Sequence, residues 1–340
     1  MKLAHSMAAA LVVTAFTCTT GLGAPRPQNP PENQQQGCKL AHVKKGSVQD
    51  VSAIGDRNVG KGLDFYSLQR EVTLGKRLAQ QVEQGARFVN DPAIVNYINK
   101  VGQNLVRNSD ARVPFTFKVI DSDAVNAFSL PGGFVFVNSG LILQASDEAE
   151  LAGVLGHEIA HVNARHGTKQ ATKSDIAQMA MIPISILLPY GWAGYGIYQG
   201  LNFGIPMAFL HFSRKDEEQA DYLGIQYMWK AGYDPNAYVS FFEKIAAEDR
   251  RHPETIPKVF ETHPPTPERI ALAQKEIATI LPCRSEYIVD TSRFEYVKRQ
   301  LELYENGRRL HKKRNGPVLH QKTGNDKGPV LKRRNPNDPH

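Results

Sequence analysis

A mainly helical α+β fold with one small β-sheet is what this 340-residue sequence predicts. Three observations predict it. Several long stretches carry apolar residues at helical spacing, whereas only two short ones alternate as strands do. Pro and Gly stand mostly between these stretches, where they punctuate rather than break them. One helix, opening at Asp147, carries His157-Glu158-x-x-His161 among apolar residues.

Each element has its own cue. Tyr66 to Glu83 is periodic at the helical repeat, with Arg70, Glu71, Lys76 and Arg77 as charged partners. Asp91-Pro92 opens a second helix, through about Val106, because proline suits the first helical position. Phe115 to Ile120 alternates as a strand. Ser129-Leu-Pro-Gly-Gly133 reads as a turn, and Phe134-Val135-Phe136-Val137 as a second short strand. The next helix has Ser146 as its N-cap, with Asp147, Glu148 and Glu150 suiting the positive end of its dipole. Leu151, Val154, Leu155, Ile159 and Val162 make it a buried amphipathic helix, and Gly167 suits its C-terminal stop. Gly156, in mid-helix, points to close backbone packing against a neighbour. Ser213 caps a further helix, with Asp216 at the capping-box position and Gly232 at the end. Helices then open at Asp234-Pro235 and Thr266-Pro267, and the last runs from Ser292 to Tyr304.

Hydrophobic residues at 41% suffice for a real core. The net charge of +7 is unevenly spread. From Asn306 to His340, ten Lys or Arg and two Asp give +8, leaving −1 for the other 305 residues. The basic balance therefore belongs to a tail, expected to be disordered, and not to the folded body. Lys2, His5 and the apolar run Met7 to Phe16 read as an export signal over 1–23. Residues 24–40 are a linker rich in Pro, Gln and Asn, and 41–305 the folded domain. Cys18 is a weak lipidation site; Cys38 and Cys283 can pair as a disulfide in an exported protein, the alternative being two unpaired thiols in a reducing compartment. From Ile176 to Ser213 the chain carries no charged residue, but Pro183, Pro189 and Pro206 with five glycines break it. No piece reaches the roughly 20 apolar residues of a spanning helix. It reads as buried helix plus a loop over the site. Peripheral membrane contact through this segment or the basic tail is kept as a minor expectation.

The chemistry sits on the helix opened by Asp147. Residues four apart share a helical face, so His157 and His161 can reach one metal ion. Glu158 lies beside them, where it can act on a water. A catalytic zinc takes three protein ligands and keeps a position open. In Ser213-Arg-Lys-Asp-Glu-Glu-Gln-Ala-Asp221, Glu217 and Asp221 share a face. Glu217 can be the third ligand, and Asp221 can fix the tautomer of a ligand histidine. Glu218 is the rival ligand. Arg214 would neutralise this acidic cluster or bind the reaction oxyanion. His166 ends the helix and is expected to cap or pack there.

Four blocks carry a family resemblance: Asn126-Ala-Phe-Ser-Leu-Pro-Gly-Gly-Phe-Val-Phe-Val-Asn138, the His157 helix, Ser213-Arg with Glu217-x-x-Ala-Asp221, and Thr262-His-Pro-Pro-Thr-Pro-Glu-Arg-Ile270. The chain resembles the zinc endopeptidases that include the CAAX prenyl protease, HtpX and BepA, over about Leu63 to Leu281. It is most similar to the exported BepA-like branch, though without the TPR repeats. The resemblance implies a gluzincin-type metallopeptidase domain with one Zn2+ per chain, held by His157, His161 and Glu217. It implies Glu158 as general base, His263 as a loop histidine that gates the metal, and Phe134–Val137 as an edge strand that pairs with substrate. The expected function is endopeptidase cleavage of misfolded or unfolded envelope proteins, most naturally in the periplasm. The partners expected are polypeptides, with no nucleic acid, because the tail lacks aromatics for base stacking. A non-catalytic, zinc-keeping chaperone is the alternative.

Overall fold

The computed structural model describes residues 43–175, 212–251, 263–264, 266–314, 318–320 and 330–332. All belong to the compact unit Cys38–His340. The expected signal and linker, and 176–211 of the charge-free segment, lie outside the described residues. So does Cys38; Cys283 is disulfide-bonded.

Helix α1 spans Leu68–Gly85 with Ser67 as N-cap, and α2 spans Pro92–Arg107 with Asp91 capping Ala93 and Ile94. Strands β1 (Thr116–Ile120), β2 (Ala127–Leu130) and β3 (Phe134–Asn138) form one sheet, followed by α3 (Ser139–Gln144) and α4 (Glu148–Asn163). After them come α5 (Arg214–Lys230), α6 (Asn236–Arg251), α7 (Pro267–Thr279) and α8 (Ser292–Arg314).

The sheet corrects two expectations. Its order is β1-β3-β2, with β3 parallel to β1 and antiparallel to β2. Phe134–Val137 is thus the central strand, with both its edges consumed by pairing. Val135, Phe136 and Val137 are all buried, as a strand covered on both faces must be. The edges are β1, bridged at Ile120 to Phe88, and β2, whose outer edge pairs with no strand among the described residues. Ser129 and Leu130 belong to β2 rather than to the turn, which Pro131, Gly132 and Gly133 make alone. Both of those glycines have positive φ. The short α3 had no cue of its own.

Helix α4 is the core of the molecule. Every one of its residues is buried, so it is not amphipathic but enclosed on all sides. Asp147, not Ser146, caps it by accepting the Glu150 N–H. Glu148 ties its start to three elements, accepting from the hydroxyls of Tyr97, Tyr233 and Thr291. It ends not at Gly167 but at Ala164, because Arg165 turns into the left-handed region at φ 61°. The Arg165 guanidinium holds that turn through Glu71 at 2.8 Å and Asp64 at 3.3 Å.

Helix α5 crosses α4 backbone to backbone. A Cβ on Gly156 would lie 3.0 Å from the Gly224 carbonyl oxygen, and one on Gly224 would lie 2.8 Å from the His157 nitrogen. The expected neighbour of Gly156 is therefore α5, which opens with the full capping box of Ser213 and Asp216. Its far side carries a buried polar chain. Arg57 pairs with Asp110 at 2.7 Å and donates to Gln226, which donates to Glu276 on α7 at 2.9 Å.

Burial lifts the Glu276 carboxyl well above its usual 4.5, so folding favours its neutral form. The folded pKa is raised. The stabilising difference is therefore fully present below the unfolded value and is lost as pH rises through the folded one. Glu276→Gln is expected to raise Tm near pH 8 more than near pH 5. The conversion is about 2–4 °C per kcal/mol in a domain of this size. Thermal melts at the two pH values check it; a shift independent of pH overturns it.

The described parts of the tail expected to be disordered carry regular structure. Helix α8 continues to Arg314, and the two Gly-Pro-Val-Leu copies supply β4 (Val318–His320) and β5 (Val330–Lys332). These pair antiparallel with Leu319 opposite Leu331. Among the described residues no helix is long and apolar enough to cross a membrane.

Candidate metal centre

The crossing of α4 over α5 puts the residues of one site together. His157 and His161 point from one face of α4, and their Nε2 atoms are 3.0 Å apart. Glu217, at the first turn of α5, lies 3.5 Å from His157 Nε2 and 3.4 Å from His161 Nε2. His263 enters from the segment before α7, with Nδ1 2.7 Å from Glu217 Oε1 and 3.5 Å from His157 Nε2. One ligand atom from each of the four lies within 4.8 Å of the others, and all four residues are buried.

These residues fit a metal ion. At 3.0 Å at most one of the two imidazole nitrogens can carry a hydrogen towards the other, so at least one lone pair faces the cluster. Glu217 Oε2 is buried and accepts no well-formed hydrogen bond, although Arg269 Nη1 is 3.2 Å away. Glu158 Oε1 is buried without a hydrogen bond, 3.6 Å from His263 Nε2. The electrostatics ask for positive charge at the same point. Burial opposes charge on His157, but Asp221 and Glu217 outweigh it and lift the imidazole to about 9. Burial pushes Glu217 up, yet the imidazoles of His157 and His263 hold it far below the carboxylate range. Burial takes His161 well below its usual 6.5. Nitrogen, nitrogen and carboxylate oxygen are the ligand set of a borderline divalent ion.

A layer of polar groups fixes the ligands. Asp221 Oδ1 lies 2.9 Å from His157 Nδ1 and accepts the Tyr238 hydroxyl. Burial pushes Asp221 up, but Arg269 outweighs it and keeps the carboxyl ionised. Arg269 grips Asp221 with two bonds, at 2.7 and 2.6 Å, and donates to the Pro264 carbonyl beside His263. Arg214, expected to neutralise this cluster or bind the reaction oxyanion, is instead exposed, with no ion pair among the described residues, because the first turn of α5 points it outward. Glu218 is also exposed and turned away from the cluster. Arg269 and Tyr238 are the residues that spacing did not reveal. Arg269 stood in the fourth family block, but nothing local marks its reach to Asp221.

Glu158 is wholly buried, and burial raises its carboxyl. Ser129 on the edge strand β2 donates to Glu158 Oε2 at 2.8 Å, which turns Oε1 towards the ligand cluster. Phe134, Val135, Phe136 and Val137 reach the site only indirectly, since β2 stands between β3 and open edge.

Comparison with known proteins agrees with this geometry. Residues 92–277 match the model of peptidase family M48. The chain is 30% identical over 279 residues to the "Beta-barrel assembly-enhancing protease" of Escherichia coli K12, covering 79% of this chain and 56% of that protein. It is 32% identical over 222 residues to the protein of the same name from Yersinia pestis, covering 64% and 46%. It is 33% identical over 176 residues to the "Mitochondrial metalloendopeptidase OMA1" of Schizosaccharomyces pombe, covering 51% and 50%. The chain spans about half the length of the curated relatives it matches. With a His/Glu cluster that could hold a metal ion on the matched segment, this chain belongs to peptidase family M48.

Proposed function

We propose that this protein is a zinc endopeptidase that cleaves extended segments of exported, unfolded or misfolded polypeptides. The observation that carries the reading is the convergence of His157, His161 and Glu217 beside a Glu158 whose Oε1 has no hydrogen bond. His157, His161 and Glu217 would hold a zinc ion, which would supply Lewis acidity at this point. Glu158 Oε1 is the base that would take a proton from a water as the water oxygen adds to the scissile carbonyl carbon, and return it to the amine nitrogen as the C–N bond breaks. Ser129 keeps the other oxygen of Glu158 occupied, so the base presents one oxygen only. Asp221 and Arg269 hold the ring of His157 in place.

Substrate adds to the outer edge of β2 rather than to β3, since among the described residues the outer edge of β2 is unpaired and lies next to Glu158. Strand addition selects chain that is already extended, which favours unfolded clients. His263 occupies the space beside Glu217 and Glu158 that a substrate carbonyl needs, so it moves aside before turnover. The expected export signal over 1–23 supports work on exported proteins, and the Escherichia coli relative is named as a protease that enhances beta-barrel assembly.

Casein is the substrate for the test. Cleavage is expected to stop in excess chelator and to return when zinc is added back. Undiminished cleavage in chelator overturns the metal assignment. A chain that binds zinc but never cleaves would favour the chaperone alternative.

A further inference from the structure

We propose that His166 is a positioning residue for this metal site: it fixes, through a directional hydrogen-bond chain, which nitrogen of His161 presents its lone pair to the metal. The proposal rests on the metalloprotease reading above. His157 has a carboxylate, Asp221, behind its Nδ1. His161 has none. Behind its Nδ1, at 2.9 Å, stands Nδ1 of a third imidazole, His166.

Two imidazoles have no fixed donor and acceptor, so the direction must come from beyond them. It comes from a backbone carbonyl, which can only accept. Gln219 donates its Nε2 to the Val59 carbonyl at 3.2 Å, and this turns the amide oxygen Oε1 towards His166 Nε2, also at 3.2 Å. Asp216 Oδ1, 3.7 Å from the same nitrogen, is a second acceptor there. His166 Nε2 therefore carries the hydrogen, and its Nδ1 carries the lone pair. That lone pair accepts the His161 Nδ1–H, which leaves His161 Nε2 unprotonated and facing His157 Nε2 and Glu217. The Phe212 ring, stacked on His161 at 4.2 Å, holds the imidazole plane that the hydrogen bond orients.

The chain differs from the Asp221 arrangement in charge. Asp221 is an anion that strengthens His157 as a ligand. Val59, Gln219 and His166 are neutral, and the Asp216 carboxylate, 3.7 Å from His166 Nε2, stands one ring removed from His161.

The test uses the full-length chain, stripped of metal, with zinc affinity measured by competition against a chromophoric chelator. His166→Leu removes the acceptor and is expected to weaken zinc binding about 10- to 100-fold. His166→Asn places a carbonyl oxygen where Nδ1 stood and is expected to recover most of that loss. A merely structural role would make the two variants equal, and equal affinities overturn the proposal. If His166→Leu does not fold, as judged by circular dichroism, Gln219→Leu carries the test. It touches no ligand, so weakened zinc binding supports the chain and wild-type affinity overturns it. The two readings fail differently. A wild-type chain that takes up no zinc ends the metalloprotease reading and this one with it. A wild-type chain that binds zinc and cleaves casein, beside a His166→Leu that binds as tightly, ends this one alone.

Discussion

Glu158→Gln is expected to lower kcat on casein by about 10²- to 10⁴-fold, the range general acid–base catalysis supplies, while zinc content and Tm stay close to wild type. The substitution keeps size and keeps an oxygen to accept from Ser129, which lies 2.8 Å from Glu158 Oε2. It removes only the basicity of Oε1. Zinc binding should survive because Glu158 is not among the four residues whose ligand atoms converge. KM should change little, since the backbone edge of β2 is untouched. A fall in zinc content that matches the fall in rate would instead make Glu158 part of the metal's support. Equal activity in the two proteins would remove Glu158 from the mechanism altogether.

The reach of the sequence follows the range over which each cue acts. His157, Glu158 and His161 were legible because an i, i+4 pair on a helix is a local fact. The same holds for the helix starts at Asp91, Ser213 and Thr266, whose capping partners are all within three residues. Gly156 announced a close neighbour but could not name it, since the partner Gly224 is 68 positions away. The edge-strand expectation failed for a different reason. Strand order is set by which strands meet, and Phe134–Val137 shows only its own composition. Its unbroken apolar run was the available hint of a central strand, because an edge strand beside an active site has one wet side. Strand β2 was hidden by its length of four residues and by the Pro-Gly-Gly turn that follows. Arg269 and Tyr238 carry ordinary side chains on helices whose positions are set by tertiary packing. No spacing rule reaches from Asp221 to a residue on α7, 48 positions on.

Gly224→Ala is expected to reduce both stability and zinc affinity, and Gly85→Ala neither. At Gly224 a Cβ would stand 2.8 Å from the His157 nitrogen and 2.9 Å from the Gly156 carbonyl carbon. Both neighbours are α4 backbone, so no side chain can swing away, and the two helices must part. Overpacking of this kind costs about 1–3 kcal/mol. The functional loss follows from the face that Gly224 shares. Asp221 is three residues before it and Glu217 seven, so all three lie along one stripe of α5. A shift at Gly224 therefore carries Asp221 away from His157 Nδ1, now at 2.9 Å, and Glu217 away from His161 Nε2, now at 3.4 Å. Gly85 ends α1 with nothing within 4 Å of its would-be Cβ, so alanine there meets no atom. Thermal melts and zinc competition on the two variants separate a helix-crossing effect from a general cost of replacing glycine. If Gly224→Ala loses stability but binds zinc as tightly as wild type, the crossing supports the fold without setting the ligand geometry. If it loses neither, the backbone contact between α4 and α5 does not govern the site.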